Sequence, residues 1–206
     1  MKTNFLKIMT ALLIFAGSFS SCAKRSDCYS EIYYMYIGEN RHVYEVSANK
    51  ILFQFFDSNI DSAKVKNSLQ NMGIKTRKVK VIDEYIIFEL ENVSKEKVIC
   101  LVEQWKVLEK DIYTSPILYG KDGTEFSFVP NQMLIRIKHE NDTSFLSQKL
   151  QLYNIKEIRL LDFDDKTYLI TISNANQKNS MQIANELYES GLFDYAEPNI
   201  IHFGRF

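Results

Sequence analysis

The sequence predicts an α+β protein that uses one small unit twice, each copy with the element order βαββαβ. Two observations carry this. Asn49-Lys50-Ile51-Leu52-Phe53-Gln54-Phe55 is echoed by Asn131-Gln132-Met133-Leu134-Ile135-Arg136-Ile137, and Tyr113-Thr114-Ser115-Pro116 by Tyr195-Ala196-Glu197-Pro198. Both echoes have the same offset (131 − 49 = 82; 195 − 113 = 82), so they form a register rather than a chance word. The second observation is composition. A hydrophobic content of 46% with only 7 Gly and 3 Pro fits a globular body, not a disordered chain. Copies of about 75 residues lie near the lower limit for independent folding, so each gains by packing on the other.

Residues 1–21 read as an export signal. Lys2 and Lys7 form a basic start, Ile8 to Ala16 a short apolar run, and Gly17 to Ser21 a mostly small segment. The run is too short to span a membrane. Cys22 follows directly, and this arrangement resembles the bacterial lipoprotein signal, with Phe19 where that signal usually has Leu. The resemblance implies a lipidated Cys22 anchoring the chain to a membrane of the cell envelope. An ordinary secretion signal and an uncleaved anchor are the alternatives.

Residues 22–46 read as a tether and a β-hairpin. Tyr33 to Ile37 and His42 to Val46 flank a four-residue loop, Gly38-Glu39-Asn40-Arg41. Its tyrosines either stack on a glycan or pack on the neighbouring domain. The first copy is assigned to 47–119. Ile51, Phe53 and Phe55 share one strand face, with Leu52 and Phe56 opposite. Val65, Leu69 and Met72 mark a helix that Gly73 stops. Strands over Ile74–Ile82 and Tyr85–Leu90 meet at an Asp83-Glu84 turn. Ser94 caps a helix that buries Val98, Leu101, Val102 and Trp105, and Ile112–Tyr119 is the last strand.

Residues 120–127 read as a linker, with Gly120 to Thr124 rich in turn formers. The second copy, 128–206, replays the order. Met133–Lys138 is a strand, and Asp142 caps a helix carrying Phe145, Leu146, Leu150 and Tyr153. Ile155–Phe163 and Lys166–Ile172 form a hairpin around Asp164-Asp165. Asn179 or Ser180 starts a helix with Ile183, Ala184, Leu187 and Tyr188, and Gly191 ends it. Phe193 to about Phe203 is the last strand, running into a tail. This order is the split βαβ, ferredoxin-like arrangement, with both helices on one sheet face and the other face open.

Charge and motifs narrow the function. Removing 1–21 leaves 23 basic and 26 acidic residues, because 2 of the 25 Lys and Arg and none of the 26 Asp and Glu are lost. The charges are interspersed, which argues against nucleic acid as partner. Lys75, Arg77, Lys78 and Lys80 alternate with Ile74, Thr76, Val79 and Val81 and read as a solvated strand face. His42, His139 and His202 have no nucleophile or acid at motif spacing, and neither a Gly-x-Ser-x-Gly elbow nor a Gly-rich phosphate loop is present. No enzyme constellation, small-molecule substrate or cofactor is expected. Cys28 and Cys100 are candidates for a disulfide without supporting spacing, Cys100 otherwise reading as a buried small hydrophobe, and no metal-ligand pattern exists.

Ala184-x-x-Leu187-Tyr188-Glu189-Ser190-Gly191-Leu192-Phe193-x-Tyr195-Ala196-Glu197-Pro198-Asn199 resembles the end of the N-terminal prodomain of subtilisin-type serine peptidases. Tyr33 to Glu39 and Asn49 to Phe55 are similar to the leader of the Bacteroidetes members, which are often lipoproteins. In that family a catalytic domain with an Asp, a His and a Ser nucleophile follows. Here the 206 residues end at Phe206, so only the prodomain's role is expected: binding, inhibiting or helping to fold a protease. The resemblance implies that the open sheet face packs on two protease helices and that the tail lies in the substrate cleft.

On that reading Asp194, Tyr195, Glu197, Asn199, Ile200, Ile201, Phe203 and Phe206 face the partner. The tail from Asn199 would span roughly 26 Å when extended. Phe206 would sit beside the catalytic serine and Phe203 in the third pocket upstream, while Ile200 and Ile201 add backbone bonds. Asp194 and Glu197 would approach helix N-termini, where negative charge is favoured. The alternatives are solvated carboxylates and a disordered tail. Two functions follow: a membrane-tethered module acting on a subtilisin-type protease in trans, or an orphan prodomain-like protein whose open face serves another interaction.

Overall fold

The computed structural model describes residues 32–55, 61–108, 112–138, 143–173 and 178–203. The export signal, Cys22, Cys28, His139, Asp142 and Phe206 lie outside them, as does the side chain of Phe145. Strands are β1 (Tyr34–Ile37), β2 (Asn40–Val43), β3 (Glu45–Phe55), β4 (Thr76–Ile82), β5 (Tyr85–Leu90), β6 (Ile112–Tyr119), β7 (Glu125–Ile137), β8 (Ile155–Leu161), β9 (Asp164–Ile172) and β10 (Phe193–His202). Helices are α1 (Ser62–Asn71), α2 (Lys95–Leu108), α3 (Thr143–Leu150) and α4 (Ser180–Glu189). The fold is mixed α+β, and its strand pairings are antiparallel.

One sheet runs β4-β5-β3-β6-β7-β9-β8, with β10 on β7. Within β3 to β6 the order is β6-β3-β5-β4; within β7 to β10 it is β10-β7-β9-β8. The two orders match element for element and agree with a ferredoxin-like arrangement. The halves do not separate: 31–206 form one compact unit. Pairing of Leu118 with Phe126 and Tyr119 with Glu125 makes the sheet continuous.

Local chemistry explains the helices. Asp61 accepts from the N–H groups of Ala63 and Lys64 at the start of α1. Gly73, at φ +75°, lets the N–H of Ile74 return to the carbonyl of Leu69 and end it. Ser94 caps α2 through the N–H of Lys97. Asn179 and Gln182 form a reciprocal capping box at α4.

The helix face of β3 buries Ile51, Phe53 and Phe55 against Val65, Leu69, Val98 and Trp105. That of β7 buries Met133, Ile135 and Ile137 against Leu146, Leu150, Ile183 and Leu187. The 82-residue register equates Ile51 with Met133, Phe53 with Ile135, Phe55 with Ile137 and Trp105 with Leu187, while Leu146 and Leu150 stand one residue short of the counterparts of Val65 and Leu69. The cores also interlock. Phe126, Phe128 and Met181 join the first cluster, and Tyr113 joins the second while its hydroxyl donates to the carbonyl of Ser173.

Several expectations change. The N-terminal hairpin turns on two residues, not four, because Ile37 pairs with Asn40 and Gly38 takes φ +58°. Its tyrosines pack within the chain: Tyr36 stacks on Tyr188 with centroids 4.4 Å apart, and both Tyr34 and Tyr36 donate to Glu189. Cys100 is half-buried on α2. β7 starts at Glu125, so the segment read as a linker already contains strand.

The β8–β9 turn falls at Asp162-Phe163, and Asp164 and Asp165 open β9. The cause is Asp164, whose carboxylate accepts from Thr167 Oγ1 at 2.6 Å, the Lys166 N–H at 3.0 Å and Arg136 Nη1 at 2.8 Å. Those bonds tie it into the sheet and push the turn towards the N-terminus.

Candidate partner-binding face

A register of side chains across four strands builds the candidate surface. Paired residues share a face of the sheet. Opposite the helices, Tyr195 of β10 aligns with Arg136 of β7 and Thr167 of β9. The next row is Glu197, Leu134, Leu169 and Arg159. In the third row Gln132 aligns with Thr171 and Glu157, and Asn199 donates to Gln132 Oε1 at 2.8 Å. None of these side chains faces α3 or α4.

Polar contacts order the first row. Thr167 Oγ1 and Tyr195 Oη lie 2.9 Å apart, and Arg136 reaches Asp164 at 2.8 Å and Asp194 at 3.7 Å. The Thr167 hydroxyl and Lys166 N–H hold the Asp164 carboxyl below the usual carboxylate range, with Arg136 adding to them. The middle row differs: Leu134 and Leu169 are half-buried apolar groups in an otherwise polar field.

Glu197 stands beside them, half-buried and with no hydrogen bond or ion pair among the described residues. Burial pushes its carboxyl above the usual range. A raised folded-state pKa means the folded protein binds the proton more tightly than the unfolded chain. The strain is therefore present at neutral pH and relieved as pH falls through the folded pKa. Glu197→Gln is expected to raise the thermal midpoint at pH 7, with the gain vanishing in acid; melts at the two pH values check it.

The same face of the first half is covered. Leu52, Ile87 and Ile117 form a buried cluster with Phe203, against which Ile82, Tyr85 and Ile201 pack. Ser115, the register equivalent of Glu197, is buried and bonded to Ser127 Oγ at 2.8 Å and to the carbonyl of Phe128 at 3.1 Å. Of the two equivalent surfaces, that of the second half is the open one.

The structure thus brings Tyr195, Glu197 and Asn199 together, with Asp194 at the margin. It removes Ile200, Ile201 and Phe203 from a free tail. Ile200 pairs with Phe128 and packs on the first core, Ile201 pairs with Ser127, and Phe203 is only 3% exposed. The expectation of an unattached apolar tail fails over 199–203, because Phe203 gains more by filling the first half's uncovered face than by meeting water. Sequence reasoning missed Gln132, Leu134, Arg136, Thr167 and Leu169. Their signal was the alternation along Met133–Lys138 and Lys166–Ile172, whose second phase was not read.

Among the described residues there is no group of three or more His, Cys, Asp or Glu placed to hold a metal, and no helix is long and apolar enough to cross a membrane. No protein-family model matches the chain, and no curated protein matches it. Among solved structures it is similar to the three N-terminal RNA-binding domains of a yeast splicing factor, at 14% identity and TM-score 0.35, covering 86% of this chain and 75% of that one. It is also similar to the acetolactate synthase small subunit from Thermotoga maritima, at 14% identity and TM-score 0.29, covering 78% and 99%. Likenesses this distant carry no functional argument.

Proposed function

We propose that the chain is a non-catalytic, membrane-tethered module with two tandem ferredoxin-like domains, in which the open sheet face of the second binds a subtilisin-type serine protease in trans. Binding there inhibits the protease or assists its folding. The observation that supports this reading is Glu197: a desolvated, unpaired carboxylate beside Leu134 and Leu169 on the open face. It costs the free fold stability and gains from a partner that supplies positive potential, such as helix N-termini. Attachment to the membrane through Cys22 belongs to the same proposal.

Burial of Phe203 favours one part of the alternative reading, an orphan prodomain-like protein whose face serves a different protein. With Phe203 engaged internally, the segment through residue 203 does not line a cleft without leaving the sheet face of the first half. The test is direct. The full chain in mild detergent is incubated with the subtilisin-type proteases of its own cell. The expected result is a complex with reduced proteolysis, weakened about tenfold by Leu134→Lys and also by Glu197→Gln, the second despite its higher stability. Absence of a complex with any such protease would sink the protease reading and leave the alternative.

A further inference from the structure

The outer edge of β8 ends the sheet. Strand edges offer unpaired backbone groups and are usually blunted by charge, Pro or bulges. The opposite edge, β4, is blunted in this way: Arg77, Lys78 and Lys80 would repel a second β4 laid beside them. β8 has irregularities near its two ends and carries charges of both signs, so its central Glu157-Ile158-Arg159 does not repel a second copy as β4 does.

Ile158 and Leu160 are 41% and 45% exposed although they pair with Ile170 and Tyr168 on the helix side of the sheet. Leu152 and Phe163, at the two ends of the strand, are 75% and 82% exposed. Between the end of α3 and β8 lies a groove of about 580 Å³, lined by Ser147, Leu150, Gln151, Asn154, Ile155 and Ile158.

We propose that β8 pairs antiparallel with β8 of a second copy of this chain, about a two-fold axis at Ile158. The strand is self-complementary in that register. Glu157 of each copy lies opposite Arg159 of the other, twice, on the non-helix face, and Ile158 meets Ile158 on the helix face. Opposite charges directly across a ladder stabilise it, and like charges destabilise it. Leu160 covers the aliphatic stem of Lys156, and each Phe163 tip comes to the Gln151–Asn154 end of the other copy's groove. The contact is isologous and closes at two chains. It takes up Glu157 and Arg159 at the β8 margin of the face described above and leaves the β10 and β7 positions around Glu197 uncovered; the dimer is tested without the protease.

The test uses the full chain in mild detergent. Sedimentation is expected to give a dimer. Under mild oxidation, Ile158→Cys is expected to form a disulfide between copies that the unmodified chain and Val81→Cys on β4 do not form. Glu157→Arg alone and Arg159→Glu alone should each weaken the dimer about tenfold, and the two together should restore it. A monomer at all concentrations overturns the proposal. So does a dimer that fails to cross-link through residue 158, or single charge reversals that the double reversal does not rescue. Circular dichroism shows that each variant is folded; if a single variant is not, the cross-link and the double variant still decide.

Discussion

Phe53→Ala is expected to destabilise the protein by about 3–5 kcal/mol, the range for truncating a fully buried aromatic ring. Phe53 is completely buried and meets Phe88 and Trp105 edge-on, with centroids 5.5 and 4.7 Å away. Alanine would remove both contacts and leave a cavity under α2. Denaturant unfolding should show a lower midpoint with an unchanged slope. It should also remain one transition, because Phe126, Phe128 and Met181 tie the second half into the first core. A two-step melt in which only one step moved would show that the halves unfold separately.

Phe203→Ala is expected to cost about 3 kcal/mol, at the low end of the same range because the residue lies near the end of a strand. The loss uncovers Leu52, Ile87 and Ile117. Binding of an apolar dye should therefore rise along with the fall in midpoint, and Phe203→Leu should recover most of both. Where Phe203→Ala remains folded, it should still bind the protease, because the proposed face does not include it. Loss of binding in a folded Phe203→Ala protein would move the activity back to the tail.

How far the sequence could be read depended on whether a signal was local. The α1 helix was legible because Val65 and Leu69 recur at helical spacing ahead of a glycine, and all of this lies within a dozen or so residues. The Asp83-Glu84 turn was legible for the same reason. Asp164-Asp165 carried an equally good local turn signal and was placed wrongly, because the Asp164 carboxylate is held inside β9 by Thr167 and Lys166 and across the sheet by Arg136, 28 residues away. The candidate site was half legible. Tyr195, Glu197 and Asn199 were found from the motif at the end of the chain. Arg136, Thr167 and Leu169 were not, since only strand register places them in the same rows.

The sequence by itself determined the repeated order of elements and the core phase of β3, which the 82-residue register carries to β7. Both follow from periodicity within short windows, and the 82-residue echo states them twice. Only the tertiary structure decided which copy keeps an open face. Leu52 and Leu134 occupy the same register position, yet Leu52 is fully buried and Leu134 is not. The difference lies more than a hundred residues beyond Leu52, in Ile201 and Phe203, which follow the last strand of the second copy onto the surface of the first. No local pattern contains that choice, because it depends on which apolar surface β10 reaches once β6 and β7 have joined the two halves into one sheet.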